Sequence, residues 1–229
     1  MVRKNLLYVN KKELFRRILF EKSELHKLLN DTPKSRGVIV ADIDNTLLVP
    51  DPTVIGIYKT KNGKTEWLNC YEYDHDPDLL NENPNVQWDF SEFETPDKVR
   101  DSILQGTPLL KNLKFIDKYI QRGYDFAFLT ARGCEDVVKE ALKKFLKYRD
   151  EIGNLNQLGE IFKNGFSVAV SDNRYIQVFE GLNAAQRKGR ILEYLCDKYD
   201  IVYFVEDSEK NIQAAKALNL PNLKLIQVT

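Results

Sequence analysis

Apolar residues in this chain alternate between short unbroken runs and longer stretches at helical spacing. Gly37-Val38-Ile39-Val40-Ala41 is one such run, short enough for a buried strand. Asp125–Thr130, Phe166–Val170, Ile201–Val205 and Leu223–Val228 read the same way. Between them, Glu135–Tyr148, Ala184–Lys198 and Glu209–Leu218 read as helices. Strands alternating with helices imply a parallel sheet covered on both faces. The expected class is therefore α/β, a Rossmann-like doubly wound parallel sheet, whose ligands bind outside the carboxyl ends of the strands.

Two segments depart from that alternation. Residues 10–29 carry Leu14, Ile18, Leu25, Leu28 and Leu29 at helical spacing, with Asn10 and Glu13 placed as a capping box. They predict an amphipathic helix within an N-terminal extension over residues 1–36, ahead of a domain spanning 37–229. The second departure is an insertion over residues 48–106. Val54–Thr60 and Thr65–Tyr71 flank Lys61-Asn62-Gly63-Lys64, and Asn-Gly between β-formers predicts a hairpin flap. Tyr73–Phe90, rich in Asp, Asn and Pro, reads as loop. Pro96 opens a short helix over 96–104, and Thr107-Pro108 opens a longer one to about Arg122, with Gly123 at its end.

Composition narrows the partners. The 229 residues are 43% hydrophobic and 30% charged with zero formal net charge, so no global basic field draws the chain to nucleic acid or membrane. No apolar run reaches the length of a membrane span, and Met1–Tyr8 lacks the apolar core of a signal peptide. Cys70, Cys134 and Cys196 are odd in number and widely spaced, which fits reduced thiols in a cytoplasmic protein and no zinc pattern.

The chemistry gathers at strand ends. Asp42 and Asp44 follow the first strand, Thr130 ends the second, and Glu206-Asp207 end the fourth. In a parallel sheet these ends share one edge. Asp42 and Asp44 lie two apart and share a face in an extended chain. Two carboxylates so placed are costly unless a cation or a proton separates their charges. That cost predicts a metal-assisted site.

Asp42-Ile43-Asp44-Asn45-Thr46 resembles motif I, D-x-D-x-T, of the haloacid dehalogenase (HAD) superfamily, most of whose members are phosphatases. Leu129-Thr130-Ala131-Arg132-Gly133 is similar to motif II, and Lys188 in Gln186-Arg187-Lys188-Gly189-Arg190 to motif III. Glu206-Asp207-Ser208, with Asn211, is similar to the acidic-pair form of motif IV. The resemblance covers residues 37–229 and extends to HAD-like proteins of bacteriophage genomes. It implies Asp42 as nucleophile, forming an aspartyl-phosphate, and Asp44 as general acid and base. It implies Mg²⁺ held by Asp42, the main-chain carbonyl of Asp44, Asp207, and Glu206 directly or through water. Thr130 would hold the phosphoryl oxygens, and Lys188 would neutralise Asp42 and the transferring group. Asn45, Thr46, Ala131 and Arg132 would line the substrate side, Arg132 as phosphate contact or as loop brace. Dehalogenase-type relatives lack the second carboxylate, so Asp44 points to phosphate chemistry.

The expected activity is hydrolysis of a phosphomonoester. A small or absent cap suits nucleotides, phosphorylated small molecules or nucleic-acid ends. The flap aromatics Tyr58, Trp67, Tyr71, Tyr73 and Trp88 admit two readings. Trp67 could stack on a nucleobase, or the aromatics could form the flap's own small core. The alternative to an enzyme is a HAD-fold binding or structural module without turnover. No P-loop sequence is present.

Overall fold

The computed structural model describes residues 36–148 and 166–228. The helix expected over residues 10–29 lies outside the described residues. β1 (Gly37–Ala41) leads into the insertion. There follow β2 (Leu48–Val49), β3 (Gly56–Lys61), β4 (Lys64–Asn69), α1 (Cys70–Asp74), α2 (Pro77–Leu80) and β5 (Val86–Asp89). A 3-10 turn (Ser91–Glu94), α3 (Pro96–Gln105) and β6 (Thr107–Pro108) complete it. Beyond lie α4 (Leu110–Gln121), β7 (Asp125–Thr130), α5 (Glu135–Tyr148), β8 (Phe166–Ala169) and α6 (Asn173–Val178). The described chain ends with α7 (Ala184–Lys198), β9 (Ile201–Glu206), α8 (Glu209–Ala217) and β10 (Leu223–Gln227).

Five strands form one parallel sheet in the order β10-β9-β1-β7-β8. The chain moves outward from β1 on one side, then returns to build the other. The order therefore reverses beside β1, which leaves a crevice at its carboxyl end. Successive β1 residues feed two separate apolar layers. Val38 and Val40 pack with Leu129, Ile191 and Phe204, while Ile39 and Ala41 pack with Leu113, Phe128 and Val205. Burial on both faces is why β1 reads as an unbroken apolar run rather than an alternating one. The molecule is an α/β protein with a Rossmann-like parallel sheet flanked by helices. None of its described helices is long and apolar enough to cross a membrane.

The insertion differs from the sequence reading in three places. The β3–β4 hairpin turns at Asn62 and Gly63, both with positive φ (52° and 72°), the pair a two-residue turn of this hand requires. Its second strand, however, stops at Asn69. Asn69 caps α1 reciprocally with Glu72, so Tyr71 belongs to a helix and does not share a strand face with Trp67. The expected loop over 73–90 contains α2 and β5, and β5 pairs antiparallel with β3. The polar residues that suggested loop serve as caps and turns: Asp76 caps α2, with Pro77 in its first turn. Thr107-Pro108 opens no helix. It pairs with β2, the Leu109 N–H donates to the Leu47 carbonyl, and α4 starts at Leu110.

Candidate functional site

Beyond β1 the sheet pairing continues for one residue: the Asp42 N–H donates to the Val205 carbonyl at 3.0 Å. The chain then turns tightly. The Ile43 carbonyl accepts the N–H groups of Thr46, Leu47 and Leu48, and Asn45 takes a positive φ of 53°. Asn is one of the few side-chain-bearing residues that tolerate this conformation. The turn buries Thr46 and leaves Asn45 half-buried at the carboxyl edge.

Asp42, Glu206 and Asp207 meet at this edge, with one carboxylate oxygen from each lying within 4.8 Å of the others. Lys188, delivered by α7, is buried among them. Its ammonium donates to Glu206 Oε2 at 2.8 Å and lies 3.0 Å from Asp42 Oδ1. Asp42 Oδ1 is buried, and its contact with the lysine is poorly directed for a hydrogen bond. The other oxygen of Glu206 accepts the Ser208 N–H at 3.2 Å, and Asp207 Oδ1 accepts the Thr46 hydroxyl at 3.0 Å.

One lysine does not balance three carboxylates. Burial, then the charge of Glu206, holds the Asp42 carboxyl well above its ordinary pKa, against the pull of Lys188. The same two causes push Asp207 up to about 7, against the Thr46 hydrogen bond. Burial acts to lower the Lys188 pKa, but Asp42 and Glu206 outweigh it and the ammonium is held above its usual range. The cluster is a set of hard oxygen donors short of positive charge, which is the condition a divalent cation satisfies.

Asp44 stands apart from this trio and faces Arg132. The guanidinium donates to both carboxylate oxygens, Nη2 to Oδ1 at 2.6 Å and Nε to Oδ2 at 2.9 Å. Its remaining arm, Nη1, donates to Ser102 Oγ at 2.7 Å and to the Val99 carbonyl at 3.2 Å. Arg132 is wholly buried, whereas the Asp44 side chain is 22% exposed. The Arg132 head group is thus engaged on Asp44 and α3.

Thr130 ends β7 fully buried, with its hydroxyl oxygen accepting the Arg132 N–H at 3.3 Å. Ala131 follows, exposed at the same edge. Thr46 was expected on the substrate side; its hydroxyl is instead directed to Asp207, and Asn112 Nδ2 holds its carbonyl at 2.8 Å. Trp67 is likewise engaged elsewhere. Its ring covers Gly56, where any Cβ would collide with the indole, and its N–H donates to Glu92 Oε2 at 3.2 Å. Buried Glu92 also accepts the Gly56 N–H at 2.9 Å and the Tyr58 hydroxyl at 3.2 Å. These contacts of Trp67 hold β3, β4 and the 3-10 turn together.

The residues that sequence reading missed are the supports. Ser102 and Asn112 are buried polar residues on otherwise apolar helix faces, and that irregularity was the available signal. Glu92 gave no signal, because the groups that hydrogen-bond its carboxylate lie at least 25 positions away. The insertion is tied to the site by its 3-10 turn: the Gly133 N–H donates to the Phe93 carbonyl at 2.9 Å, and the Arg132 guanidinium lies 5.8 Å from the Phe93 ring centre.

No model of a known protein family matches this chain, and no curated protein matches it.

Proposed function

We propose that this protein is a Mg²⁺-dependent phosphomonoester hydrolase of the HAD type. The observation that carries the reading is the trio of buried Asp42 and Glu206 and half-buried Asp207 around a single lysine. Asp44 and Thr130 adjoin it from the ends of two neighbouring strands. These residues, held far apart in sequence, are the ones through which the chain resembles that superfamily.

Asp42, Asp207 and Glu206 would hold the ion, which when bound offsets the charge of the carboxylates and of the phosphoryl oxygens. An Asp42 oxygen attacks phosphorus. The ester P–O bond breaks, and its electron pair leaves with the alcohol oxygen, which takes a proton from Asp44. Asp44 then removes a proton from water, the water oxygen attacks phosphorus, and the P–O bond to Asp42 breaks. Inorganic phosphate and the Asp42 carboxylate result. Lys188 stays charged throughout and stabilises both the nucleophile and the transferring group. Paired with Arg132 on both oxygens, Asp44 is a carboxylate; to act as acid it must first release one Arg132 contact and take up a proton from solvent, and its partial exposure gives it that freedom.

The test is hydrolysis of an aryl phosphate with Mg²⁺ and with EDTA. It is followed by a panel of nucleotides, sugar phosphates and 3′- or 5′-phosphorylated oligonucleotides. Turnover that needs the metal supports the reading. Absence of turnover across the panel supports the binding-module alternative instead.

A further inference from the structure

Arg187 adjoins Lys188 on α7 but points to a different part of the same edge. Nη1 donates to the Leu182 carbonyl at 2.6 Å and Nη2 to Ser171 Oγ at 3.2 Å. Ser171 is in turn fixed to the loop after β7, its N–H donating to the Arg132 carbonyl at 3.2 Å. The Arg187 Nε is buried with no acceptor. Among the described residues no carboxylate lies within ion-pair distance of this guanidinium; only Glu94 acts on it, from farther off. The other buried or half-buried guanidiniums at this edge are matched: Arg132 by Asp44, and Arg174 by Asp172 and Glu135. An arginine keeps its charge when buried, and a partly desolvated charge without a counter-ion is costly. An anion from outside the described residues would match this charge, and a guanidinium suits a phosphate oxygen.

We infer that Arg187 and Ser171 form a second anion subsite beside the carboxylate cluster, and that the substrate carries a further phosphate or phosphodiester near the scissile one. The inference rests on the phosphatase reading for what occupies the first site, but the subsite itself can be measured without turnover. The probe is a nucleoside 3′,5′-bisphosphate, compared with its 3′- and 5′-monophosphates, in the presence of Mg²⁺. Wild type should prefer the bisphosphate in kcat/KM by about tenfold or more. Arg187→Gln should erase most of that preference through KM, and Arg187→Lys should restore part of it. In parallel, the same ligands are titrated calorimetrically into Asp42→Asn protein with and without Arg187→Gln. The bisphosphate should lose about tenfold in affinity and the monophosphates much less. Binding that follows Arg187 without any hydrolysis would overturn the phosphatase reading and leave the subsite standing. Hydrolysis with no bisphosphate preference, a preference unchanged in folded Arg187→Gln, or no difference in binding would overturn the subsite.

Discussion

Two ionic clusters in this protein are built from the same groups and behave in opposite ways. In the flap, Lys59 is buried between Asp76 and Asp78, at 2.6 and 2.9 Å. Lys61 closes on Asp78 at 2.8 Å, and Asn83 adds a hydrogen bond to it. Cations and acids there are nearly matched. Hydrogen bonds from Lys61, Lys59 and Asn83 hold Asp78 well below its ordinary pKa. Burial works against Asp76, but its bond to Lys59 prevails and it too is lowered. At the sheet edge, Lys188 alone faces Asp42, Glu206 and Asp207, and the shifts run upward. Burial raises the acids of both clusters; in the flap the cations and hydrogen bonds outweigh it, and at the sheet edge a single lysine does not. A matched cluster serves structure. An unmatched one is poised for a cation and an anionic substrate that the fold does not itself supply.

The sharpest way to separate the two is to neutralise one acid in each. Asp42→Asn should reduce Mg²⁺-dependent hydrolysis by about a thousandfold or more, since an amide cannot act as the anionic nucleophile. Its melting temperature without metal should not fall, because the change removes a charge from an overcrowded cluster. Activity within tenfold of wild type would remove Asp42 from the role. The next effect belongs to Asp44, which faces Arg132 and not the trio. Asp44→Asn should slow an alkyl phosphate by about a hundredfold and an aryl phosphate much less, because a good leaving group needs little acid help. Equal losses on both substrates would contradict the acid assignment.

The two clusters were not equally legible in the sequence. The site residues sit at the ends of apolar runs, and a parallel sheet aligns such ends whatever the intervening chain does. That is why Asp42, Thr130, Glu206 and Asp207 could be grouped before any coordinates, and why helices such as Ala184–Lys198 agree with the structure to the residue. The flap obeys no such rule. Its third strand, β5, depends on pairing with β3, and its ion pairs join residues 17 positions apart through a segment that read as loop. The bond of Trp67 was illegible for the same reason: its partner Glu92 lies 25 positions away, on a turn with no periodic signal. Local pattern records what a regular sheet imposes and misses what long-range side-chain bonds decide.

Acidity offers a test of opposite sign in the two regions. In the metal-free folded protein Asp207 keeps its proton up to about pH 7, whereas in the unfolded chain it releases it near about 3.9. The folded state holds more protons across that window, so this contribution to stability is complete below about 4 and is lost as pH rises to about 7. Asp76 and Asp78, with lowered folded values, contribute above about 4 and lose that contribution as pH falls through those values. In EDTA the melting temperature should therefore drop by about 5 °C between about pH 5 and 7.5. Excess Mg²⁺ should restore most of it at the upper end, and Asp207→Asn should flatten the decline. A melting temperature that rises across this range would show that the cluster is not short of positive charge, and a decline that Asp207→Asn leaves unchanged would move the proton to Asp42.

The smallest expected effect concerns the matched cluster. Lys59→Met keeps the length and apolar stem of the side chain while removing its charge, and so leaves Asp76 without its closest cation. Losing charged hydrogen bonds at a nearly buried position should cost on the order of 1 kcal/mol, or about 3 °C in melting temperature. The loss should be complete at pH above about 4 and shrink as pH falls through the lowered folded value of Asp76. Turnover of an aryl phosphate should hold within about twofold, because β3 is linked to the site indirectly, through Glu92 and the 3-10 turn. Lys59→Met and Asp42→Asn would then form mirror images, one lowering stability with chemistry intact and the other removing chemistry with stability intact. If Lys59→Met abolished turnover while the protein stayed folded, the flap cluster would belong to the reaction, and the division between structural and functional ion clusters would collapse.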